Sequence, residues 1–290
     1  MSLSSTLWWP APAKLNLFLH ITGQRSDGYH LLQTVFVLLD YGDALSYKVS
    51  NDGEIRRTYA HGMMAGVPYE SDLIVRAAQL LQQHCGCRQG VEIDLQKRLP
   101  MGGGLGGGSS DAATTLVALN CLWKLGLSLD ELSQLGLQLG ADVPVFVRGQ
   151  TAWAEGVGEV LQPIEVEEKW YLVIIPSDTV STVEIFSDSQ LIRDTSAITI
   201  RDFLAGHSVK NTLEPVVEKR YPRVAEALKW LRQFAPAHMT GSGACVFAAF
   251  DDKAQAEELT SQMPEGWQGF IARGVNRSPL LKVAESFSVT

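Results

Sequence analysis

Apolar and polar positions over Ala11–Thr22 alternate imperfectly from Lys14 onward, and the apolar ones are bulky, which predicts a β-strand. A turn-forming run, Gly23–Gly28, follows. A second extended stretch covers Tyr29–Asp40 and a short third covers Ala44–Val49. The period changes at Ser71–Gln83, where Leu73, Ile74, Ala77, Ala78 and Leu81 share one helical face behind a Ser-Asp start. Val91–Leu95 alternates strictly, as a half-buried strand does. Ala112–Lys124 predicts a strong helix with Ser109, Ser110 or Asp111 as its N-cap. A capping box at Ser128–Glu131 starts another helix that runs to about Leu139 and breaks at Gly140–Pro144. Strands are predicted at Thr151–Ala154 and Lys169–Ile175, and Pro215–Phe234 is mostly helical. Met239–Phe250 is a glycine turn feeding an apolar strand, Ala254–Met263 a short amphipathic helix and Gly269–Val275 a last strand. Strands and helices mix without regular βαβ alternation and without repeats, so the expected class is α+β. Gly156, Gly158 and Pro163 punctuate a lobe boundary, dividing the chain into 1–160 and 161–290.

The composition supports a folded chain: 290 residues, 46% hydrophobic and 19% charged. Such a length buries about 75% of the unfolded surface and usually divides into two lobes. The net charge of −8 argues against a protein that binds nucleic acid through phosphate neutralisation, and against docking on an anionic membrane. Cys85, Cys87, Cys121 and Cys245 do not make a disulfide framework, and Cys85-x-Cys87 has no second pair at zinc-site spacing. A reducing cytoplasm is the expected home. Met1–Pro12 has neither a basic leader nor a long apolar run, so no signal peptide is expected. No apolar stretch reaches the ~18 residues of a membrane span.

The strongest chemical signal is Leu99–Asp111, in which six of the seven residues 102–108 are glycine. Glycine admits backbone angles closed to other residues and lets a ligand approach the chain. The helix behind it offers unpaired N–H groups and a positive dipole end, which together make an anion cradle. A mere turn would not justify the folding entropy of so many glycines. Gly102, Gly104 and Gly107 fit G-x-G-x-x-G only formally, because no acidic residue follows about 20 positions later. Gly103 and Gly108 have Walker spacing, yet Ser109 stands in the lysine slot. A phosphate-binding loop of neither kind is expected, and a dinucleotide oxidoreductase is disfavoured.

LPMGGGLGGGSSDAA (99–113) resembles the phosphate loop of the galactokinase, homoserine kinase, mevalonate kinase and phosphomevalonate kinase superfamily. PAKLNLFLHITGQRSDGYHLLQTVF (12–36), LGLQLGADVPVFV (135–147) and MTGSGACVFA (239–248) fall in the family's order. The Gly-Tyr-His step at 28–30 is similar to the branch that phosphorylates a cytidine diphosphate methylerythritol, and not to the mevalonate branch. The resemblance implies a two-lobed small-molecule kinase fold, with ATP bound in 1–160, the small-molecule substrate in 161–290 and a cleft between them. It implies ATP and Mg²⁺, transfer of the γ-phosphoryl to the substrate's 2-hydroxyl, and no covalent enzyme intermediate. Neither the Mg²⁺ ligands nor an oligomeric state is indicated.

Residue by residue, the resemblance makes Lys14 a catalytic lysine beside the γ-phosphate; its bland alternative is a strand lysine snorkelling to water. Asp142 is implied as the base or orienter of the attacking hydroxyl; alternatively it only makes an Asx turn before Pro144. Pro100, Met101, Gly102, Gly103, Gly104, Leu105, Gly106, Gly107, Gly108, Ser109 and Ser110 would wrap the ATP phosphates. Ser109 and Ser110 would serve as caps or touch Mg²⁺. Lys97 would contact the nucleotide, although solvated charge is the default for Lys97 and Arg98. Asn16, Tyr29, His30, Thr182 and Phe186 map to substrate positions, with Tyr29 and Phe186 suited to sandwich a cytosine. Taken alone, Phe186 is core and His30 an ordinary polar residue. The T-G-S-G turn at 240–243 would shape the substrate pocket, or be simply a tight hairpin. Asp72 departs from the asparagine usual in relatives, and 51–70 and 187–212 are idiosyncratic stretches expected not to touch the core motifs. Two rivals stand beside this reading: another kinase of the superfamily acting on mevalonate or a sugar, and a non-catalytic sensor, against which the presence of both Lys14 and Asp142 weighs.

Overall fold

The computed structural model describes residues 6–58 and 67–288. The leader reading of Met1–Pro12 and the idiosyncratic stretch 51–70 therefore fall partly outside the described residues. In chain order the elements are β1 (Trp9–Gln24), β2 (His30–Ser50), β3 (Ile55–Arg57), α1 (Leu73–Cys85), β4 (Gly90–Gln96), α2 (Gly107–Leu122), α3 (Leu129–Leu137), α4 (Val143–Arg148), β5 (Ala152–Glu155) and β6 (Val160–Pro163). They continue with β7 (Trp170–Ile175), α5 (Thr182–Phe186), α6 (Ile200–Leu204), α7 (Glu214–Arg220), α8 (Pro222–Leu231), β8 (Ala237–Met239), β9 (Val246–Phe250), α9 (Lys253–Ser261), β10 (Gln268–Val275) and α10 (Pro279–Ser288).

β2 is the spine. It pairs antiparallel with β1 along nearly its whole length, with β5 through Thr34–Phe36, with β4 through Ala44–Ser50 and with β10 at Leu38 and Leu39. The sheet path β3-β4-β2-β10-β7-β9-β8 is antiparallel except for β3 on β4. The two separate strands predicted over Tyr29–Asp40 and Ala44–Val49 are thus one. Between them Gly42 allows a close approach: a Cβ there would lie 2.0 Å from the Ala11 carbonyl oxygen of β1.

Two apolar cores flank the sheet. The first buries α1, α2 and α4 against β1, β2 and β4, with Leu38, Leu81, Ile93, Leu116 and Phe146 fully enclosed. The second packs α7 and α8 on β7, β8 and β9, around Leu172, Val217, Leu228 and Val246. A third, smaller cluster of Leu15, Val37, Leu105, Val173, Cys245 and Phe247 lies between them. The chain's end returns to the first core: Leu280 is buried in it, and Phe287 stacks on Trp9 with ring centroids 5.0 Å apart. Among the described residues no helix is long and apolar enough to cross a membrane.

The capping box at Ser128 forms as predicted, and Asp72 caps α1 by accepting from the Ile74 N–H. The cap of α2 is a correction. That helix begins five residues before Ala112, behind Gly106 in the left-handed region, and not behind Ser109, Ser110 or Asp111. The break at Gly140–Pro144 leads directly into α4, with Pro144 in its first turn, where the missing N–H costs nothing.

Candidate active site

A bulged stretch of β1 places Lys14 and Asn16 on one face of the sheet, two residues apart. Lys14 is buried, so it does not snorkel to water. Its Nζ donates to Asn16 Oδ1 at 2.5 Å, lies 3.5 Å from Asp142 Oδ2 and sits 5.2 Å from the Phe36 ring centroid. Asn16 Nδ2 donates in turn to Thr34 Oγ1 at 3.0 Å, and Thr34 Oγ1 donates to the Phe18 carbonyl. The Asn16 N–H donates to Thr240 Oγ1 at 3.0 Å. Both ends of the Asn16 amide are thereby engaged by protein groups, and its direct effect is to hold the lysine. Asp142 is the N-cap residue of α4 yet makes no side-chain capping bond, so the Asx-turn alternative fails and its carboxylate faces Lys14. The Asp142 side chain is 34% exposed and that of Lys14 4%.

The glycine run is clamped from both halves of the chain. The Lys14 N–H donates to the Leu105 carbonyl at 3.0 Å, and the Cys245 N–H donates to the Gly103 carbonyl at 3.1 Å. Thr240 Oγ1 lies 3.3 Å from the Gly104 carbonyl. Gly102, Gly104 and Gly106 have φ of +71°, +76° and +73°. A Cβ at Gly104 would meet the Thr240 carbonyl oxygen at 2.2 Å, so this turn admits no side chain. Because α2 has a glycine N-cap, no side chain caps it, and its first N–H groups point outward with the positive end of the dipole.

The run separates two cavities. One, of about 390 Å³, is lined by Pro100, Met101, Gly102–Gly108, Ser109, Lys97, Asp72 and the start of α1. The other, of about 940 Å³, is lined by Lys14, Asn16, Asp142, Tyr29, His30, Thr182, Phe186 and Gly241–Gly243. Gly102, Gly104 and Gly106 border both. Ser110 borders neither: it is fully buried, and its hydroxyl has no hydrogen-bond partner among the described residues.

Lys97 departs from the solvated default. Its Nζ donates to Asp43 Oδ2 at 2.5 Å and to Asp111 Oδ2 at 2.9 Å, and its side chain is 5% exposed. Burial alone would lower the lysine's pKa, but the two carboxylates outweigh it and hold it above its ordinary value. Asp111 is also held well above the usual carboxylate range, because its burial outweighs Lys97 and Asp43 adds like charge. The shifts point the same way because one cation serves two buried carboxylates. Asp72 is likewise spent on capping α1 and pairing with Arg57 at 2.6 Å.

At the far end of the larger cavity Tyr29 is 64% exposed, and Phe186 is half-buried at the end of α5, lining the cavity as well as touching the second core. The His30 and Phe186 ring centroids are 5.0 Å apart. Thr182 and Ser242 share a hydroxyl–hydroxyl bond of 2.7 Å, which ties α5 to the 240–243 turn. Asn211 Nδ2 donates to the carbonyls of Met239 and Gly241 at 2.9 and 2.8 Å and fixes that turn. Arg193 lines the same cavity, and its Nε donates to His30 Nε2 at 3.0 Å. The stretch 187–212, expected to stand apart from the motifs, thus reaches into them through Arg193 and Asn211. Neither residue carries a periodic or motif signal that sequence could have exposed. Among the described residues no three metal-ligating side chains cluster.

The family description "GHMP kinases N terminal domain" matches residues 72–150, and "GHMP kinases C terminal" matches 191–269. The chain is 59% identical over 279 residues to a 4-diphosphocytidyl-2-C-methyl-D-erythritol kinase of Nitrosococcus oceani, covering 96% of this chain and 98% of that one. A relative of the same name from Pseudomonas aeruginosa is 55% identical over 284 residues, covering 98% and 99%. A crystal structure of 4-(cytidine 5'-diphospho)-2C-methyl-D-erythritol kinase superposes with a TM-score of 0.81 at 30% identity, covering 93% of this chain and all of that one. Mevalonate kinase from Methanococcus jannaschii shares the fold, with a TM-score of 0.69 at 16% identity, over 94% of this chain and 100% of that one.

Proposed function

The chain belongs to the 4-diphosphocytidyl-2-C-methyl-D-erythritol kinases of the GHMP kinase family, and on that footing we propose that it transfers the γ-phosphoryl of ATP to the 2-hydroxyl of 4-diphosphocytidyl-2-C-methyl-D-erythritol. The products are the 2-phosphate and ADP, a step of non-mevalonate isoprenoid precursor biosynthesis. The observation that carries this reading is the Lys14–Asp142 pair, 3.5 Å apart and facing the larger cavity where the glycine run divides it from the smaller one.

ATP phosphates fit the cradle of Gly102–Gly108 and the uncapped start of α2, with Pro100, Met101 and Ser109 beside them. Ser110 acts from behind, within the helix, because its side chain does not reach the cavity. Lys97 serves the nucleotide by holding the N-terminal part of α2 through Asp111. Phosphoryl transfer proceeds through a loose transition state, so positioning and charge supply most of the rate. Lys14 places a fixed positive charge where charge develops on the transferred group. Asp142 orients the acceptor hydroxyl and receives its proton. Asn16, locked by Thr34 and Thr240, keeps the Lys14 ammonium in place.

Ser109 lines the smaller cavity beside the glycine run, with its Oγ 3.7 Å from where a Gly140 Cβ would stand. A hydroxyl suits Mg²⁺ alongside phosphate oxygens and water, so Ser109 would hold it. Mg²⁺ there supplies neutralisation of phosphate charge. Tyr29 and Phe186 enclose the cytosine, His30 meets its edge, and Thr182 borders the rest of the substrate. In this reading 1–160 holds the nucleotide and shares the substrate cavity with 161–290, in the cytoplasm, where Cys85, Cys87, Cys121 and Cys245 stay free thiols.

The test is ADP release with ATP, Mg²⁺ and the cytidyl substrate. Asp142→Asn and Lys14→Met are each expected to lower kcat about 100-fold or more while nucleotide binding persists. Tyr29→Ala is expected to raise KM for the cytidyl substrate. Equal turnover of an acceptor lacking the cytidyl group would overturn the assignment, and no ADP release at all would favour a sensor.

A further inference from the structure

We propose that Arg193 is a positioning residue that fixes the hydrogen-bonding form of His30 and the seat of Phe186, and through them the preference of the larger cavity for cytosine; this rests on the nucleobase reading of Tyr29, His30 and Phe186. Arg193 lies in the irregular run after α5. Its Nε donates to His30 Nε2 at 3.0 Å, its Nη1 to the Leu191 carbonyl at 3.1 Å, and its Nη2 to the carbonyls of Phe186 and Asp188, both at 2.9 Å. Four of these bonds leave from one planar group, which fixes its orientation.

Guanidinium has no acceptor, so the His30 nitrogen facing it must carry the lone pair. The ring proton then sits on Nδ1. An imidazolium could not accept from Arg193 and would set two cations in contact. Burial first, and Arg193 second, accordingly keep the His30 pKa below its ordinary value. His30 lines the cavity and presents one ring donor and no free acceptor. Cytosine offers acceptors at N3 and O2, whereas uracil carries a hydrogen on N3. A fixed ring donor therefore matches cytosine and opposes uracil at N3, and sites built on such a bond reject the analogue that lacks the partner. The same guanidinium holds the Phe186 carbonyl, and the His30 and Phe186 rings stand 5.0 Å apart, so one residue sets both an edge and a face of the base site.

The direct test is ¹⁵N NMR of the histidine-labelled full chain, with His30 assigned by its disappearance in His30→Gln. The expected wild-type signal at pH 7 is the Nδ1–H tautomer; an Nε2–H tautomer or a protonated ring would overturn the proposal without any Arg193 variant. Arg193→Met is expected to move His30 toward the Nε2–H form that free imidazole favours. It should raise KM for the cytidyl substrate about tenfold, and cut the preference for cytidyl over uridyl substrate by a similar factor, with kcat and KM for ATP within about twofold. Arg193→Lys, which retains one donor, should recover part of the loss, and it carries the kinetic test if the methionine variant does not fold. Unchanged KM and selectivity in both variants would overturn the proposal. Tyr29→Ala and Phe186→Ala separate the two levels. If they raise KM and the Arg193 variants do not, Arg193 alone is misassigned; if they leave KM unchanged, the nucleobase reading has failed.

Discussion

Lys97 illustrates how a residue beside a functional loop can act through charge balance. Its ammonium serves both Asp43 and Asp111, and Asp43 Oδ1 also accepts from the backbone N–H groups of Arg98 and Leu99 at 2.6 and 2.8 Å. Removing the cation leaves Asp43 and Asp111 buried without a counter-ion. Lys97→Met is therefore expected to cost about 3–5 kcal/mol in denaturant unfolding; a change under about 0.5 kcal/mol would contradict the arrangement. Lys14 and Asp142 stood out as candidates because each sits in a dense motif, and the structure sets them 3.5 Å apart. The partners of Lys97 did not, since Asp43 lies 54 positions away and only the fold joins them. Asn16 was marked for the substrate, but side-chain bonding to Lys14 and Thr34 is a property of the β1–β2 register, which no single strand discloses.

In the proposed reading the glycine run with α2 carries the nucleotide phosphates, and its glycines are not equivalent. Gly102 and Gly104 both have positive φ, a conformation costing a side chain about 1–3 kcal/mol. Only at Gly104 would a Cβ also strike backbone, at 2.2 Å from the Thr240 oxygen; at Gly102 nothing lies within 4 Å. Steady-state kinetics should show Gly104→Ala losing well over tenfold in kcat/KM for ATP, and Gly102→Ala losing much less. The reverse order would mean that the clamp between the two halves is not what shapes the loop. The run itself was visible in the sequence, as was the helix behind it. The true start of α2 was not, because serine and aspartate are the usual caps, whereas here a left-handed Gly106 leaves the helix end open.

The order of the motifs along the chain disclosed the two-lobed architecture. The joining of its halves through β10 on β2, Gly274 opposite Leu39, was not disclosed, because it brings together residues from opposite ends of the chain. One property spreads over the entire molecule. His20, His30 and His238 are all held below the ordinary pKa of 6.5, by burial first and then by Lys210, Arg193 and Arg232 respectively. Below pH 6.5 the unfolded chain takes up these protons before the folded one does. Stability is thus complete above that pH and falls as pH drops through the depressed values. Tm should decline between pH 7 and about 5.5, and His238→Gln, at a residue that lines neither cavity, should flatten the slope; a flat or rising wild-type Tm would refute this.

A ternary crystal structure with a non-hydrolysable ATP analogue and the cytidyl substrate bears on all of this at once. The triphosphate is expected along Gly102–Gly108, with its γ-phosphate beside Lys14 and the acceptor hydroxyl within about 2.6–3.2 Å of Asp142. A triphosphate bound away from that run, or a hydroxyl out of reach of Asp142, would contradict it.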